Sequence, residues 1–163
     1  MSQKAIFLDR DGTLIYDAHY LSQVSEIQWL PQVFEDLRQL SSWGYLLVLI
    51  TNQSGIGRGY FSQADYEKVN EALRCQAEVE NVIFSGVYHC PHWPEKDGPC
   101  LCRKPGTEMF EKAIKELGID VSQSLAVGDR ERDVLPAKKL GVKQSFVVPA
   151  NEGLKEMMRN LIK

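Results

Sequence analysis

Residues 5–13 read Ala-Ile-Phe-Leu-Asp-Arg-Asp-Gly-Thr and join an apolar run directly to a pair of carboxylates. The run Ala5–Leu8 is wholly apolar, which predicts a short strand buried on both faces, as in a parallel sheet. Asp9 and Asp11 then lie where that strand ends. In parallel sheets covered by helices, ligands bind beyond the carboxyl ends of the strands. The segment therefore predicts a strand that delivers acidic side chains to a site.

The rest of the chain alternates strand-like and helix-like segments. Apolar runs predict further strands at 46–50, 85–89, 124–127 and 145–148, and amphipathic segments predict helices at 31–43, 62–78, 107–117, 134–140 and 153–162. Pro31 is expected at the start of the first helix, and Gly118 in a left-handed conformation after a later one. This alternation predicts an α/β fold, a three-layer Rossmann-like parallel sheet with helices on both faces.

The bulk composition limits the classes of function. The 163 residues are 44% hydrophobic and 25% charged, which predicts one globular domain over 1–163. A net charge of −3 gives no basic surface for nucleic acid or an anionic membrane, so any anionic substrate must be captured by local cations. No apolar run approaches the roughly 18 residues that span a bilayer, and the N-terminus has no signal-peptide pattern. We therefore expect no membrane partner and a cytoplasmic location.

An acidic cluster is predicted at the carboxyl edge of the sheet. Polar residues also follow the second and fourth predicted strands, namely Thr51-Asn52 and Asp129 with Asp133. Crowded carboxylates repel one another unless a cation neutralises them, and a set of oxygen ligands suits Mg²⁺. Of the pair Asp9 and Asp11, one can act as a nucleophile and the other as general acid and base. The alternative is that these aspartates are only turn and cap residues.

Three cysteines and a histidine predict a structural zinc site in a loop, which we name the zinc loop, residues 90–103. The four predicted ligands are Cys90, His92, Cys100 and Cys102. Three thiolates and one imidazole form a closed tetrahedral Zn²⁺ site. The alternatives are a chance cluster of buried thiols, or His89 as a competing ligand. We expect zinc to fix the loop so that Arg103 and Lys104 point into the site at the carboxyl edge of the sheet.

A glycine-rich segment, residues 52–60, lies between the second strand and the following helix. Its three glycines allow close backbone approach, so its N–H groups could cradle anionic oxygens. The alternative interpretation is a flexible surface loop.

Four ordered motifs resemble those of the haloacid dehalogenase superfamily of phosphatases. They are Asp9-Arg10-Asp11-Gly12-Thr13, Thr51-Asn52, Lys104, and Gly128-Asp129 with Asp133. The resemblance implies that Asp9 attacks phosphorus to give an aspartyl-phosphate, while Asp11 protonates the leaving oxygen and then activates water. It also implies that Mg²⁺ is held by Asp9, the backbone carbonyl of Asp11 and Asp129. Thr51 and Lys104 would stabilise the transferring phosphoryl group.

Residues 51–61, together with the zinc loop and the following Lys104-Pro105, resemble the D-glycero-D-manno-heptose-1,7-bisphosphate 7-phosphatase family. The resemblance implies a monomer without a large cap domain that removes the 7-phosphate in ADP-heptose synthesis for lipopolysaccharide. It places substrate contacts on Arg10, Asp17, Ala18, His19, Tyr20, Asn52, Gln53, Ser54, Arg103 and Arg130. Arg103 would recognise the remote phosphate, for which a planar bidentate group is suited.

Other functions remain open at this point. Gly128-Asp129-Arg130 resembles histidinol-phosphate phosphatase, which shares the zinc loop, whereas Asp17–Tyr20 and residues 54–61 favour the sugar bisphosphate. A non-catalytic, zinc-stapled binding module would have no physical reason to keep so many like charges together. A polynucleotide 3′-phosphatase would need a basic track that this chain lacks.

Overall fold

The computed structural model describes residues 2–162, and its centre is a five-stranded, wholly parallel sheet in the order β3-β2-β1-β4-β5. The strands are β1 (Ala5–Leu8), β2 (Leu46–Asn52), β3 (Gly86–Cys90), β4 (Leu125–Gly128) and β5 (Gln144–Val147). β1 is therefore the middle strand, and all four of its residues are buried. The order places the ends of β2 and β4 on either side of Asp9.

Helices cover both faces of this sheet, as predicted. They are α1 (Val33–Ser42), α2 (Gln63–Val79), α3 (Pro94–Asp97), α4 (Glu108–Leu117), α5 (Glu131–Lys139) and α6 (Lys155–Ile162). Successive β1 residues point to opposite faces, so Ile6 packs into the core formed with α1, α2 and α6, whereas Phe7 packs into the core formed with α4 and α5. Phe7 also contacts Phe110 of α4, with ring centroids 5.2 Å apart. These two cores make the three-layer α/β fold.

The predicted helix starts needed two corrections. The first helix begins at Val33 rather than Pro31, because Gln32 has a left-handed φ of 69° that cannot continue a helix. The helix predicted to start at residue 134 begins at Glu131, where the Asp133 side chain accepts from the backbone N–H of Arg130 and caps the first turn. Gly118 has the predicted left-handed conformation, with a φ of 62°.

No large cap domain covers the carboxyl edge of the sheet in the described part of the chain. Residues 9–32, which connect β1 to α1, contain only the 3₁₀ turn Val24–Glu26. The only helix in the zinc loop is the short α3. Within residues 2–162, no helix has the length and apolar character that crossing a membrane requires.

Candidate active site

Asp9 lies at the end of β1 and is held from two sides. Its backbone N–H donates to the carbonyl of Val127 on β4, a contact of 3.1 Å that extends the sheet by one residue. Thr13 Oγ1 donates to Asp9 Oδ2 at 3.2 Å, and Lys104 Nζ donates to Asp9 Oδ1 at 2.9 Å. Burial raises the pKa of Asp9 to about 7, although the Lys104 charge opposes the rise. Asp9 is thus a fixed, desolvated carboxylate facing the edge of the sheet.

Three carboxylates from two strand ends meet at this point. Oxygen atoms of Asp9, Asp129 and Asp133 all lie within 4.8 Å of one another. Burial also raises the pKa of Asp129, as does the charge of Asp133. A Cβ on Gly12, which has a φ of +83°, would lie 2.5 Å from Asp129 Oδ2, so only glycine leaves room there. An all-oxygen donor set of this charge fits a bound Mg²⁺.

Lys104 is the cation that joins this cluster in the described structure. Its Nζ lies 2.9 Å from Asp9 Oδ1 and 2.8 Å from Asp133 Oδ1, and it donates to the carbonyl of Ile50 at 2.7 Å. Burial alone would lower the pKa of Lys104, but the charges of the two aspartates raise it. The Lys104 side chain is only 2% exposed, so its charge interacts with Asp9 and Asp133 rather than with solvent.

Asp11 points away from the three clustered carboxylates. It accepts from Arg10 Nε and Nη2 at 3.1 Å each, and from Gln53 Nε2 at 3.1 Å. Arg10 itself is almost fully buried, which fixes the direction of the pair. The Asp11 carboxylate is therefore free of the cluster, as a group that exchanges protons with substrate must be. A metal contact through its backbone carbonyl stays a prediction.

Asn52 ends β2 and Gln53 follows it, and both side chains hydrogen-bond to other residues of the site. Asn52 Oδ1 accepts from the backbone N–H of Lys104 at 2.9 Å, and Asn52 Nδ2 donates to the Lys104 carbonyl at 3.3 Å. This reciprocal pair fixes the backbone that carries Lys104. Gln53 Nε2 donates to Thr51 Oγ1 at 2.8 Å as well as to Asp11 Oδ2 at 3.1 Å. Gln53 therefore links Thr51 to Asp11.

A polar cavity of about 320 Å³ opens above these groups. Twelve residues with predicted roles line it: Asp9, Arg10, Asp11, Asp17, His19, Tyr20, Asn52, Gln53, Ser54, Arg103, Asp129 and Arg130. Thr51 and Lys104 are buried and do not line it, whereas Ala18 is exposed and does not line it either. The other lining residues are Asp133 of the predicted acidic cluster, Gly55 and Arg58 of the glycine-rich segment, and Leu21 and Arg132, for which the sequence indicated no role.

The predicted substrate segment Asp17–Tyr20 is shaped by its own backbone. His19 and Tyr20 have positive φ angles of 52° and 67°, and Asp17 Oδ1 accepts from the His19 N–H at 2.9 Å. Tyr20 packs edge-on against Tyr60, with ring centroids 4.9 Å apart. This contact brings the segment against the glycine-rich loop at the mouth of the cavity.

The four predicted zinc ligands converge. Ligand atoms of Cys90, His92, Cys100 and Cys102 all lie within 4.8 Å of one another. Cys100 Sγ is 3.7 Å from each of the other two sulfurs, close to the roughly 3.8 Å between thiolates that share a tetrahedral zinc with Zn–S bonds of about 2.3 Å. Cys90 Sγ and Cys102 Sγ lie only 2.6 Å apart, so this pair must separate for both thiolates to bind one zinc ion. His92 Nδ1 lies 3.4 Å from Cys90 Sγ and 3.2 Å from Cys102 Sγ. The donor set fits Zn²⁺, and the zinc itself stays a prediction.

His89 is not part of this cluster. It stacks on Tyr66, with ring centroids 4.1 Å apart, and its Nε2 lies 3.2 Å from Gln63 Oε1. Burial lowers the pKa of His89. It is therefore a packed residue at the end of β3, and the alternative that made it a competing ligand loses support.

Comparison with known proteins identifies the family. A family model described as HAD-hydrolase-like matches residues 101–156. A D-glycero-beta-D-manno-heptose-1,7-bisphosphate 7-phosphatase of Haemophilus ducreyi is 45% identical, over 94% of this chain and 87% of its own length. This chain belongs to the heptose-bisphosphate phosphatase family. The family resemblance inferred from the motifs is thereby confirmed, and the chain is a phosphoric monoester hydrolase.

Two further relatives show the breadth of the heptose-bisphosphate phosphatase family. A Photorhabdus laumondii relative named for the alpha anomer of the heptose is 32% identical, over 98% of this chain and 90% of that protein. The crystal structure of a D,D-heptose 1,7-bisphosphate phosphatase from B. bronchiseptica, complexed with magnesium and phosphate, aligns with a TM-score of 0.80. It is 29% identical and covers 96% of this chain and 86% of that one. The predicted α/β fold of a heptose-bisphosphate phosphatase is thus confirmed.

Proposed function

We propose that the chain is a Mg²⁺-dependent phosphatase that removes the 7-phosphate of D-glycero-D-manno-heptose 1,7-bisphosphate through an aspartyl-phosphate on Asp9. The observation that carries this proposal is the desolvated Asp9 carboxylate, fixed by Lys104 and Thr13 beside Asp129. The names and coverage of the relatives support the substrate, and the magnesium in the B. bronchiseptica structure supports the cation.

The proposed reaction is the one that the family resemblance implies, and the fixed position of Asp9 supports it. Asp9 attacks phosphorus and forms a P–O bond, while the bond from phosphorus to the sugar oxygen breaks and Asp11 gives that oxygen its proton. Asp11 then takes a proton from water, which attacks the aspartyl-phosphate and releases phosphate and free Asp9. When bound by Asp9, Asp129 and the Asp11 carbonyl, Mg²⁺ would offset the repulsion between the carboxylate and the phosphate. Lys104 and Thr51 would stabilise the charge on the phosphoryl group in the transition state of its transfer.

The wider setting of the enzyme is proposed on the same basis. We place it as a single-domain cytoplasmic monomer that serves ADP-heptose and lipopolysaccharide core synthesis. The substrate in the names of the relatives supports the place in heptose metabolism.

A substrate panel tests the proposed specificity. Phosphate release from heptose 1,7-bisphosphate should have a kcat/KM at least about tenfold above that from histidinol phosphate, fructose 1,6-bisphosphate or a 3′-phosphorylated oligonucleotide. The physical reason is that unpaired arginines in the cavity gain from a second phosphate that histidinol phosphate lacks. The measurement uses both heptose anomers. Equal or better turnover of histidinol phosphate would make the chain a histidinol-phosphate phosphatase, the alternative that Asp129-Arg130 indicates.

The zinc loop provides a second prediction. Cys100→Ser, or removal of the metal by chelation, should lower the melting temperature by roughly 4–8 °C, equivalent to about 2 kcal/mol, and lower turnover as well. The loop carries Arg103 and leads directly into Lys104, whose backbone is held by Asn52. Added Zn²⁺ should restore the chelated enzyme, and added Mg²⁺ should not.

The matched control for the zinc loop is Cys75→Ser. Cys75 is exposed on α2, where its thiol contacts only Glu71, and it does not belong to the cysteine cluster. This variant should keep the melting temperature, the turnover and one zinc per chain by metal analysis. A zinc-free wild-type protein with unchanged melting temperature and turnover would remove the role assigned to the metal.

A further inference from the structure

Four arginines besides Arg10 line the cavity: Arg58, Arg103, Arg130 and Arg132. Within residues 2–162, none of the four forms an ion pair with a carboxylate, whereas Arg10 is paired with Asp11. The chain as a whole has a net charge of −3, so this positive surface is local. Guanidinium groups that share a cavity without counter-charges favour an anionic ligand.

Two of these arginines contain buried donors with no acceptor in the described structure. Arg103 Nη1 and Arg132 Nε are both shielded from solvent and unpartnered. Buried donors in folded proteins nearly always have an acceptor, because an unmade hydrogen bond leaves the cost of desolvation uncompensated. The missing acceptors are most simply supplied by oxygen atoms of a ligand in the cavity that both side chains line.

The side chains come from three separate connections and converge. Arg58 lies in the loop after β2, Arg103 at the end of the zinc loop after β3, and Arg132 in the first turn of α5 after β4. All three side chains line the same cavity. Guanidinium groups that share a cavity repel one another, and an anion between them relieves that repulsion.

Arg58 is held in place by aromatic rings and a hydroxyl. Its guanidinium lies 4.7 Å from the ring centre of Trp93 in the zinc loop and 5.5 Å from that of Tyr20. Arg58 Nε also donates to Ser54 Oγ at 3.3 Å. These contacts use the ring faces and one donor, and they leave the remaining guanidinium donors for a ligand.

We infer that Arg132 is a specificity-determining residue which, with Arg103 and Arg58, binds the phosphate that the enzyme does not cleave. We name these three residues the arginine cluster. The inference rests on the proposed function, because it needs a substrate with two phosphates. The cleaved phosphate lies at Asp9 and Lys104, and a phosphate dianion at the arginine cluster satisfies the buried donors of Arg103 and Arg132. Arg132 thereby makes the enzyme prefer a sugar bisphosphate to the corresponding monophosphate.

The test compares each bisphosphate with its monophosphate. Arg132→Gln should lower kcat/KM for heptose 1,7-bisphosphate about 10-fold to 100-fold, mainly through KM, which is the range expected for a lost charge-assisted hydrogen bond. For heptose 7-phosphate, which has nothing to place at the arginine cluster, the change should stay below about threefold. Arg132→Lys should recover part of the loss, since it keeps the charge but loses the planar geometry. Arg38→Gln, at an exposed ion pair with Glu80, is the matched control and should change neither value.

The outcomes separate this inference from the proposed function. Equal losses for bisphosphate and monophosphate, or no loss for the bisphosphate, would overturn the role of Arg132. Fructose 1,6-bisphosphate and fructose 6-phosphate provide a second pair on which the same ratio is measured. If the wild-type enzyme prefers histidinol phosphate to the heptose, the proposed substrate fails while the fructose ratio still reports on Arg132. A wild-type enzyme that favours the bisphosphate in neither pair would overturn the inference itself.

Discussion

Asp9→Asn is expected to reduce phosphate release by at least about 10⁴-fold, the scale seen when a covalent nucleophile is removed from an enzyme. The amide fills the same space and can still accept from Thr13, but it offers no anionic oxygen to phosphorus. Burial keeps the Asp9 carboxylate poorly solvated, so its attack on phosphorus requires little removal of water. The change therefore removes the chemical step and leaves the shape of the cavity.

The measurement combines turnover with direct detection of the adduct. Wild-type enzyme with Mg²⁺ and beryllofluoride should show one aspartyl-beryllofluoride adduct per chain by ¹⁹F NMR. The Asp9→Asn variant should show none. Asp120→Asn is the matched control, since Asp120 does not line the cavity and caps the turn Val121–Gln123, where asparagine serves equally well. A phosphorylated species that persists in the Asp9→Asn variant would place the nucleophile elsewhere.

The fold was predictable because its strongest signals are local. The wholly apolar run Ala5–Leu8 is buried on both faces, and the alternation of its side chains between two cores follows from strand geometry alone. The helix starts were less predictable, since Gln32 adopts a left-handed conformation that no local pattern indicates. The start of α5 was predicted at residue 134, but the capping carboxylate of Asp133 starts the helix at Glu131.

Site residues that directly follow a strand could be predicted from the sequence. Residues whose role depends on the direction of the side chain could be predicted less well. Asp9 and Asp129 follow β1 and β4 directly, so parallel topology alone brings them together. Asp133 was predicted to belong to the acidic cluster, and its carboxylate lies there, but it was not named among the Mg²⁺ ligands. Its spacing of four from Asp129, in the first turn of α5, turns its side chain back towards the end of β4.

Arg132 was missed for a different reason. Nothing in the sequence distinguishes it from the solvated arginines of a helix surface, because its significance depends on Arg103, which is distant in the chain. Likewise, the pairing of Asp11 with Arg10 and Gln53 could not be inferred from spacing, because it depends on how Arg10 is buried. Charge partners across a cavity are tertiary properties, and single-sequence patterns do not contain them.

Lys104→Met is expected to lower both the melting temperature and turnover. It is the second change with a large expected effect. The ammonium group lies within 2.9 Å of Asp9 and 2.8 Å of Asp133, and is almost fully buried. Its removal leaves three neighbouring carboxylates without a fixed cation, at a cost of about 3–5 kcal/mol when a buried ion pair is broken from one side. The melting temperature without Mg²⁺ should fall by roughly 6–20 °C. Turnover should fall about 10²–10³-fold, the effect of losing one stabilising donor in a transition state.

Added Mg²⁺ distinguishes the two contributions of Lys104. A divalent cation between the carboxylates offsets their repulsion, so Mg²⁺ should raise the melting temperature of the variant more than that of the wild type. It should not restore turnover, because a metal held by the carboxylates would not replace the donor that Lys104 is proposed to offer the phosphoryl group. Lys138→Met, which breaks an exposed pair with Glu131, should alter stability by less than about 1 kcal/mol and leave turnover unchanged. If Mg²⁺ returned the Lys104→Met variant to full turnover, this lysine would be a structural counter-ion only, and the phosphoryl charge would have to be stabilised by the metal and Thr51.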